Sequence, residues 1–295
     1  MKNKTPLHIV LLFLSPSLLV LFLFFFLPVI AAFILSFTDF DLYSLGHINY
    51  MRFVGLKNYR ELLGNEIFWK SVKNTFYFVL AGGPLSVITS LGAALLLHSK
   101  LVKFKGLFRM VYFTPVVTTL VAVSIMWKFI YHPRFGLLNY VLSFFGISPV
   151  DWLGNPDFVM PAIIFMAVWK NFGYNMIIFI AGLQNIPEDL YEAAQIEGAG
   201  FWKQFINVTV PMLAPTTLFI SVITMIGYFQ LFAEPYVMTQ GGPLNSTISV
   251  VLYMYQEGFR WWNIGYSTAI AFMLFLIIMV GTVIQFKLQK NTDTI

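Results

Sequence analysis

The chain has 295 residues, of which 58% are hydrophobic and 11% charged, whereas an ordinary soluble domain carries roughly 25% charged residues. With 32 phenylalanines and a mean hydropathy of +0.77, too little polar surface remains to coat a water-soluble fold, so lipid is expected as the main solvent. The formal net charge of +5 is scattered between apolar runs, which argues against a nucleic-acid surface, and the lack of cysteine excludes disulfides and thiolate chemistry.

In chain order, six charge-poor runs are each long enough to cross a bilayer, for which about 20 residues suffice. The first, Ile9 to Phe37, follows a Lys2/Lys4 leader and reads as a retained anchor, being longer than a secretory core and lacking a small-residue cleavage site. Thr38 to Lys73 mixes charge with aromatics and predicts an outside cap with a short amphipathic helix around Asn58 to Leu63. Asn74 to Leu97 is the second run, and the basic stretch Lys100 to Arg109 leads to the third, Met110 to Trp127. Tyr131 to Asp157, with Pro133, Gly136, Gly146, Pro149, Gly154 and Pro156, predicts a turn-rich outside loop. The fourth run, Phe158 to Pro187, is interrupted only by Lys170. Gln204 to Ala233 is the fifth, and Trp261 to Phe286 the sixth, after a segment that carries Gly241-Gly242-Pro243. The excess of Lys and Arg at Lys2, Lys4, Lys100, Lys103, Lys105, Arg109, Lys203, Lys287 and Lys290 favours an N-terminus inside the cell.

The loop between runs four and five differs from the others. Pro187, Glu188 and Asp189 suit the start of a helix, Gly198 or Gly200 its end, and the sequence predicts a short helix from about Pro187 to Glu197. Leu190, Ala193 and Ala194 share one face of it. A helix lying on lipid usually carries Lys and Arg, whereas this one carries Glu188, Asp189, Glu192 and Glu197, so a protein partner is the better match. A second helix is expected to start near Phe201 and to run on into the fifth span past Pro211 and Pro215.

Glu192-Ala193-Ala194, then Gly198, then Val208 and Val210-Pro211 resemble the EAA loop of the membrane subunits of binding-protein-dependent ABC importers. Val208 and Val210 stand where that pattern has Ile and Leu, and Glu197 where Asp is common. Phe53-Val54-Gly55-Leu56-Lys57-Asn58-Tyr59, Phe135-Gly136-Leu137-Leu138-Asn139, Ala181-Gly182-Leu183-Gln184-Asn185-Ile186-Pro187 and Thr239-Gln240-Gly241-Gly242-Pro243 extend the likeness to the carbohydrate-uptake branch, maltose F-type or glycerol-phosphate A-type. The resemblance implies an all-α membrane protein with the type I importer permease fold. Residues 1–70 would hold the leader, first span and outside loop, 71–287 the transmembrane domain with the EAA loop at 187–211, and 288–295 a cytoplasmic tail. It implies a multi-pass subunit of a prokaryotic cytoplasmic membrane, with both termini cytoplasmic, forming half of the path for a sugar. Its partners would be a second, G-type permease, an ABC ATPase dimer seated on the EAA loop, and an extracytoplasmic binding protein. No cofactor is expected on this chain, ATP and magnesium being bound by the ATPase. Glu192, Ala193, Ala194 and Gly198 are the expected coupling residues.

The residues themselves offer little reaction chemistry. His8, His47, His98 and His132 lack metal-ligand spacing, and Gly64 to Ser71 has Trp69 where a phosphate loop needs glycine. Neither a catalytic residue nor a metal site is expected. For the path, Lys170 is the informative charge, because an ionisable group in a span is costly unless it faces protein or water. Asn171, Tyr174 and Asn175 share a helical face in the same run, and Thr224, Tyr228, Gln230 and Glu234 are offered by the fifth. Aromatic faces with amide and hydroxyl groups suit sugars. The resemblance carries substrate contact onto Asn171, Tyr174, Thr224 and Tyr228, with Lys170 and Gln230 as further candidates. Alternatively these groups bond only one another, Lys170 with Glu234 or a partner carboxylate. A self-sufficient secondary transporter, the competing class, would show inverted repeats and paired intramembrane charges, and neither stands out.

Overall fold

A computed structural model describes residues 7–47, 51–99 and 102–292. The Lys2/Lys4 leader, Lys100, the side chain of Lys290 and the last three residues lie outside the described portion. Among the described residues all regular structure is helical apart from one isolated bridge, Thr38 to Phe53. Five helices are long and apolar enough to cross a membrane, and a sixth crossing is a bent pair. They are referred to below as spans one to six: Ile9–Leu35, Glu66–His98, the pair Lys105–Val117 and Leu120–Ile130, Pro156–Gln184, Ala214–Met238, and Ile264–Lys287.

Packing divides the chain into two compact units. The first comprises residues up to Asn65 together with Met254–Phe275. Span one is its most apolar element, and none of its most hydrophobic stretch is buried against the rest of the chain, so its surface is left for lipid or another protein. Its end is folded back by hydrogen bonds. Asn58 Nδ2 donates to the carbonyls of Ser36 and Thr38 at 2.9 and 2.8 Å, and Ser36 Oγ meets the Tyr59 hydroxyl at 2.8 Å. Asn58 and Tyr59 lie on the helix Lys57–Gly64, the amphipathic helix expected around Asn58 to Leu63. Asp41 begins a further short helix, Leu42–Gly46, by accepting from the amide and hydroxyl of Ser44; the amide bond holds its carboxyl below the usual carboxylate range.

The second unit, Glu66–Tyr253 with the last part of the chain, carries the candidate site. Span two presents Ser71, Thr75, Phe78, Gly82, Ser86, Ser90, Ala94 and Leu97 as a buried stripe at helical spacing. Such small residues let two backbones approach, which in lipid replaces the missing hydrophobic drive for helix association. The stripe packs along span four, where Ser90 Oγ donates to the carbonyl of Phe172 at 2.9 Å. At one end, Ala94, Leu97, Met176, Phe179, Leu183, Ile186, Leu213 and Ile220 join spans two, four and five in one apolar cluster.

The third run departs from the simple crossing expected at Met110 to Trp127. Its helix begins at Lys105 and breaks after Val117, where Thr118 and Thr119 take extended conformations and the direction turns by 99°. Pro115 supplies no amide hydrogen there, and the β-branched threonines favour extended backbone. The loop from Tyr131 to Asp157 is also more ordered than its turn residues suggest. It contains the helix Leu137–Ser143, and buried Asn139 gathers the loop by donating to the carbonyls of Pro133 and Val150 and accepting from Trp152 Nε1 at 2.9 Å.

Candidate functional site

Span four ends and span five begins on the connection from Asn185 to Leu213, and two features lie along these elements. The first is a cavity of about 600 Å³ in the second unit, walled by span four through Asn171, Tyr174 and Asn175 and by span five through Thr224, Tyr228, Gln230 and Glu234. Phe78 and Phe219 supply aromatic faces, and Val116 and Leu120 the two sides of the break in span three. Tyr174 is half exposed, whereas Asn175, Thr224 and Tyr228 are buried.

The polar groups of this wall bond across helices. Asn175 Nδ2 donates to Thr224 Oγ1 at 3.0 Å and reaches Ser86 Oγ at 3.5 Å, so one amide ties spans two, four and five. The Tyr228 hydroxyl points between Ser86 and Asn171 without closing a full hydrogen bond to either. Its ring lies 4.9 Å from that of Phe78 and passes over Gly82, where an added Cβ would come within 2.9 Å of Tyr228 Cε2. The side chain is thus fixed by packing while its hydroxyl keeps hydrogen-bonding capacity. Span three is brought close by Gly173, whose Cβ, if present, would stand 2.1 Å from the Tyr112 carbonyl oxygen.

Of the path residues selected from sequence, Asn171, Tyr174, Thr224, Tyr228 and Gln230 line this one cavity, and Lys170 does not. Lys170 is only 8% exposed and its Nζ donates to the carbonyl of Val116 at 3.4 Å. Val116 belongs to the last turn of the first half of span three, whose final carbonyls lose their helical partners at the break. A lysine there satisfies a freed carbonyl and complements the negative end of the helix. Among the described residues no direct ion pair joins Lys170 to Glu234. Glu234, offered by the fifth run in the sequence, lines the cavity, whereas Ser86 and Gly82, which pack behind Asn175 and Tyr228, are what a reading of single helical faces overlooks. The small-residue stripe of span two was the signal for the latter pair.

The second feature is the helix Glu188–Ile196, which stands off the bundle with no buried residue. Glu192 and Ala193 are exposed and Ala194 is half-buried. Glu197 caps the helix and Gly198 follows with φ +79°, its amide donating to the carbonyl of Gln195 and that of Ala199 to the carbonyl of Ala194. These two bonds form a Schellman motif, which places its left-handed residue at Gly198, where a side chain would be strained. The chain then re-enters helix at Phe201 and continues into span five, as expected. A cavity of about 760 Å³ lies beneath the loop, lined by His98, Gln184, Tyr191 and Glu192 among others. It is bridged by the Tyr191 hydroxyl, 2.9 Å from Thr209 Oγ1, and Gln204 Nε2 donates to the carbonyl of Ala199 at 2.7 Å. The exposed acidic helix is therefore braced to the helical run from Phe201 that leads into span five.

The family model for the binding-protein-dependent transport system inner membrane component matches residues 5–293. An arabinooligosaccharides transport system permease protein of Bacillus subtilis (strain 168) is 35% identical over 285 residues, spanning 95% of this chain and 88% of its own length. A lactose transport system permease protein of Rhizobium radiobacter is likewise 35% identical, covering 95% of this chain and 93% of its own. Among solved structures, a chain of the bacterial alginate ABC transporter in complex with its alginate pentasaccharide-bound periplasmic protein superposes with a TM-score of 0.77 at 22% identity, covering 94% of this chain and 92% of its own.

Proposed function

Because this chain belongs to the family of binding-protein-dependent transport system inner membrane components, we propose that it forms one half of the path by which an ATP-driven importer takes up an oligosaccharide or related sugar. The observation that carries this reading is that spans four and five hold both the polar-aromatic cavity and, between them, the exposed helix braced to the helical run that leads into span five. Movement of that helix is passed to the cavity wall through the turn at Gly198 and the helical run Phe201–Met212 that leads into span five. In this reading Glu192, Ala193, Ala194 and Gly198 meet a cleft of a separate ATPase dimer, which binds ATP and magnesium and performs the hydrolysis. A second permease supplies the other half of the cavity and accepts the uncovered surface of span one. An extracytoplasmic binding protein delivers the sugar. Both termini lie on the cytoplasmic side with the coupling helix. Asn171, Gln230 and Thr224 offer amide and hydroxyl groups to sugar alcohols, and Tyr174 and Tyr228 offer ring faces to the C–H side.

The test is uptake of labelled lactose and arabinotriose by cells that express the complete transporter, comparing the unmodified chain with Tyr174→Ala at equal abundance in the membrane. Uptake of whichever sugar is accepted should fall about tenfold, the scale of one well-placed contact. Undiminished uptake in Tyr174→Ala, or uptake that persists without the ATPase, would reject the assignment.

A further inference from the structure

Resting on the reading of this cavity as the solute path, the structure assigns Glu234 as the residue by which this chain favours uncharged saccharides and turns away carboxylated or phosphorylated ones. The cavity wall contains one acidic side chain, Glu234, and among the described residues no lysine, arginine or histidine. Lys170 does not line it, its Nζ being engaged by the carbonyl of Val116. Glu234 is 7% exposed and lies in the first turn of the short helix Ala233–Met238, on the cavity wall.

A carboxyl group so placed offers oxygen lone pairs to neighbouring hydroxyls, and sugar alcohols in 1,2 arrangement can donate to both of its oxygens at once. An anionic sugar meets the opposite situation. Its carboxylate or phosphate would give up water against a wall that this chain lines with no cation, and burying an unpaired charge is far costlier than burying a hydrogen-bonded hydroxyl. The amides of Asn171 and Gln230 can donate to an anion but do not neutralise it. The buried lysine found in the sequence therefore does not make this a phosphate site. It serves the broken helix, and the acid beside the cavity sets the preference.

The experiment is saturation-transfer NMR on this chain assembled with its second permease in lipid nanodiscs, with lactose and maltotriose as neutral probes and trigalacturonate and glycerol 3-phosphate as anionic ones. The unmodified chain should transfer saturation to a neutral probe and at least about tenfold less to either anion. Glu234→Lys should weaken the neutral probe and admit an anion, and Glu234→Gln, the milder change, should narrow the discrimination by about tenfold if the lysine variant fails to fold. Equal transfer to neutral and anionic probes, unchanged by Glu234→Gln, would overturn the role of Glu234 while leaving the cavity as the path. Absence of transfer to every probe would instead overturn the cavity reading on which the inference rests.

Discussion

Gly82 and Gly173 are both contact glycines, yet substitution should have different consequences at the two positions. At Gly82 the obstacle to a Cβ is the edge of the Tyr228 ring, a side chain that borders the cavity rather than backbone. Gly82→Ala should leave the protein folded but displace Tyr228 into the cavity, changing sugar affinity with little change in thermal stability; a binding titration beside a melting curve separates the two effects. At Gly173 the obstacle is the carbonyl oxygen of Tyr112, which is backbone. Gly173→Ala must push span three away from span four, and an overpacking cost of roughly 3 kcal/mol should appear as loss of folded chain from the membrane. Lys170 belongs to the same scale. Lys170→Met leaves the Val116 carbonyl without its donor. A drop in detergent melting temperature is expected, with less effect on the affinity of the chain that remains folded. A large affinity loss at normal stability would place the lysine in the path instead.

At the scale of elements, the sequence reports crossings better than their shape. Uncharged runs mark spans because each charge in lipid is expensive, and that signal does not depend on packing. The break in span three is not legible in the same way. Pro84 and Pro161 lie inside unbroken helices, so proline alone does not mark a break in a span. What distinguishes Pro115 is the pair Thr118-Thr119 just beyond it and the lysine of another span waiting for the freed carbonyl, and the latter is a tertiary fact. The helix Glu188–Ile196 was readable almost to the residue, since proline, acidic first turn and terminal glycine each act locally. Its brace was not, because Tyr191 and Thr209 become neighbours only once the loop closes. The cavity was half readable. A helical face places Asn171 with Tyr174, and Thr224 with Tyr228, but which neighbouring charge enters the wall depends on how the spans rotate, and that rotation put Glu234 inside and Lys170 behind.

For the whole molecule, the account places sugar contact, energy conversion and ligand capture on different polypeptides. The described residues hold no cluster of His, Cys, Asp or Glu able to bind a metal, and the exposed acidic helix and uncovered first span present surfaces suited to other chains. The central claim is that ATP hydrolysis elsewhere is linked to this cavity through the helix Glu188–Ile196. It is tested most directly by measuring binding-protein-stimulated ATP hydrolysis in nanodiscs that contain this chain, the second permease and the ATPase, with Glu192 intact and with Glu192→Lys. Stimulation by the intact chain and a fall to the rate of the isolated ATPase in Glu192→Lys, with the permease pair still assembled, is the predicted result; equal stimulation in both would contradict the account.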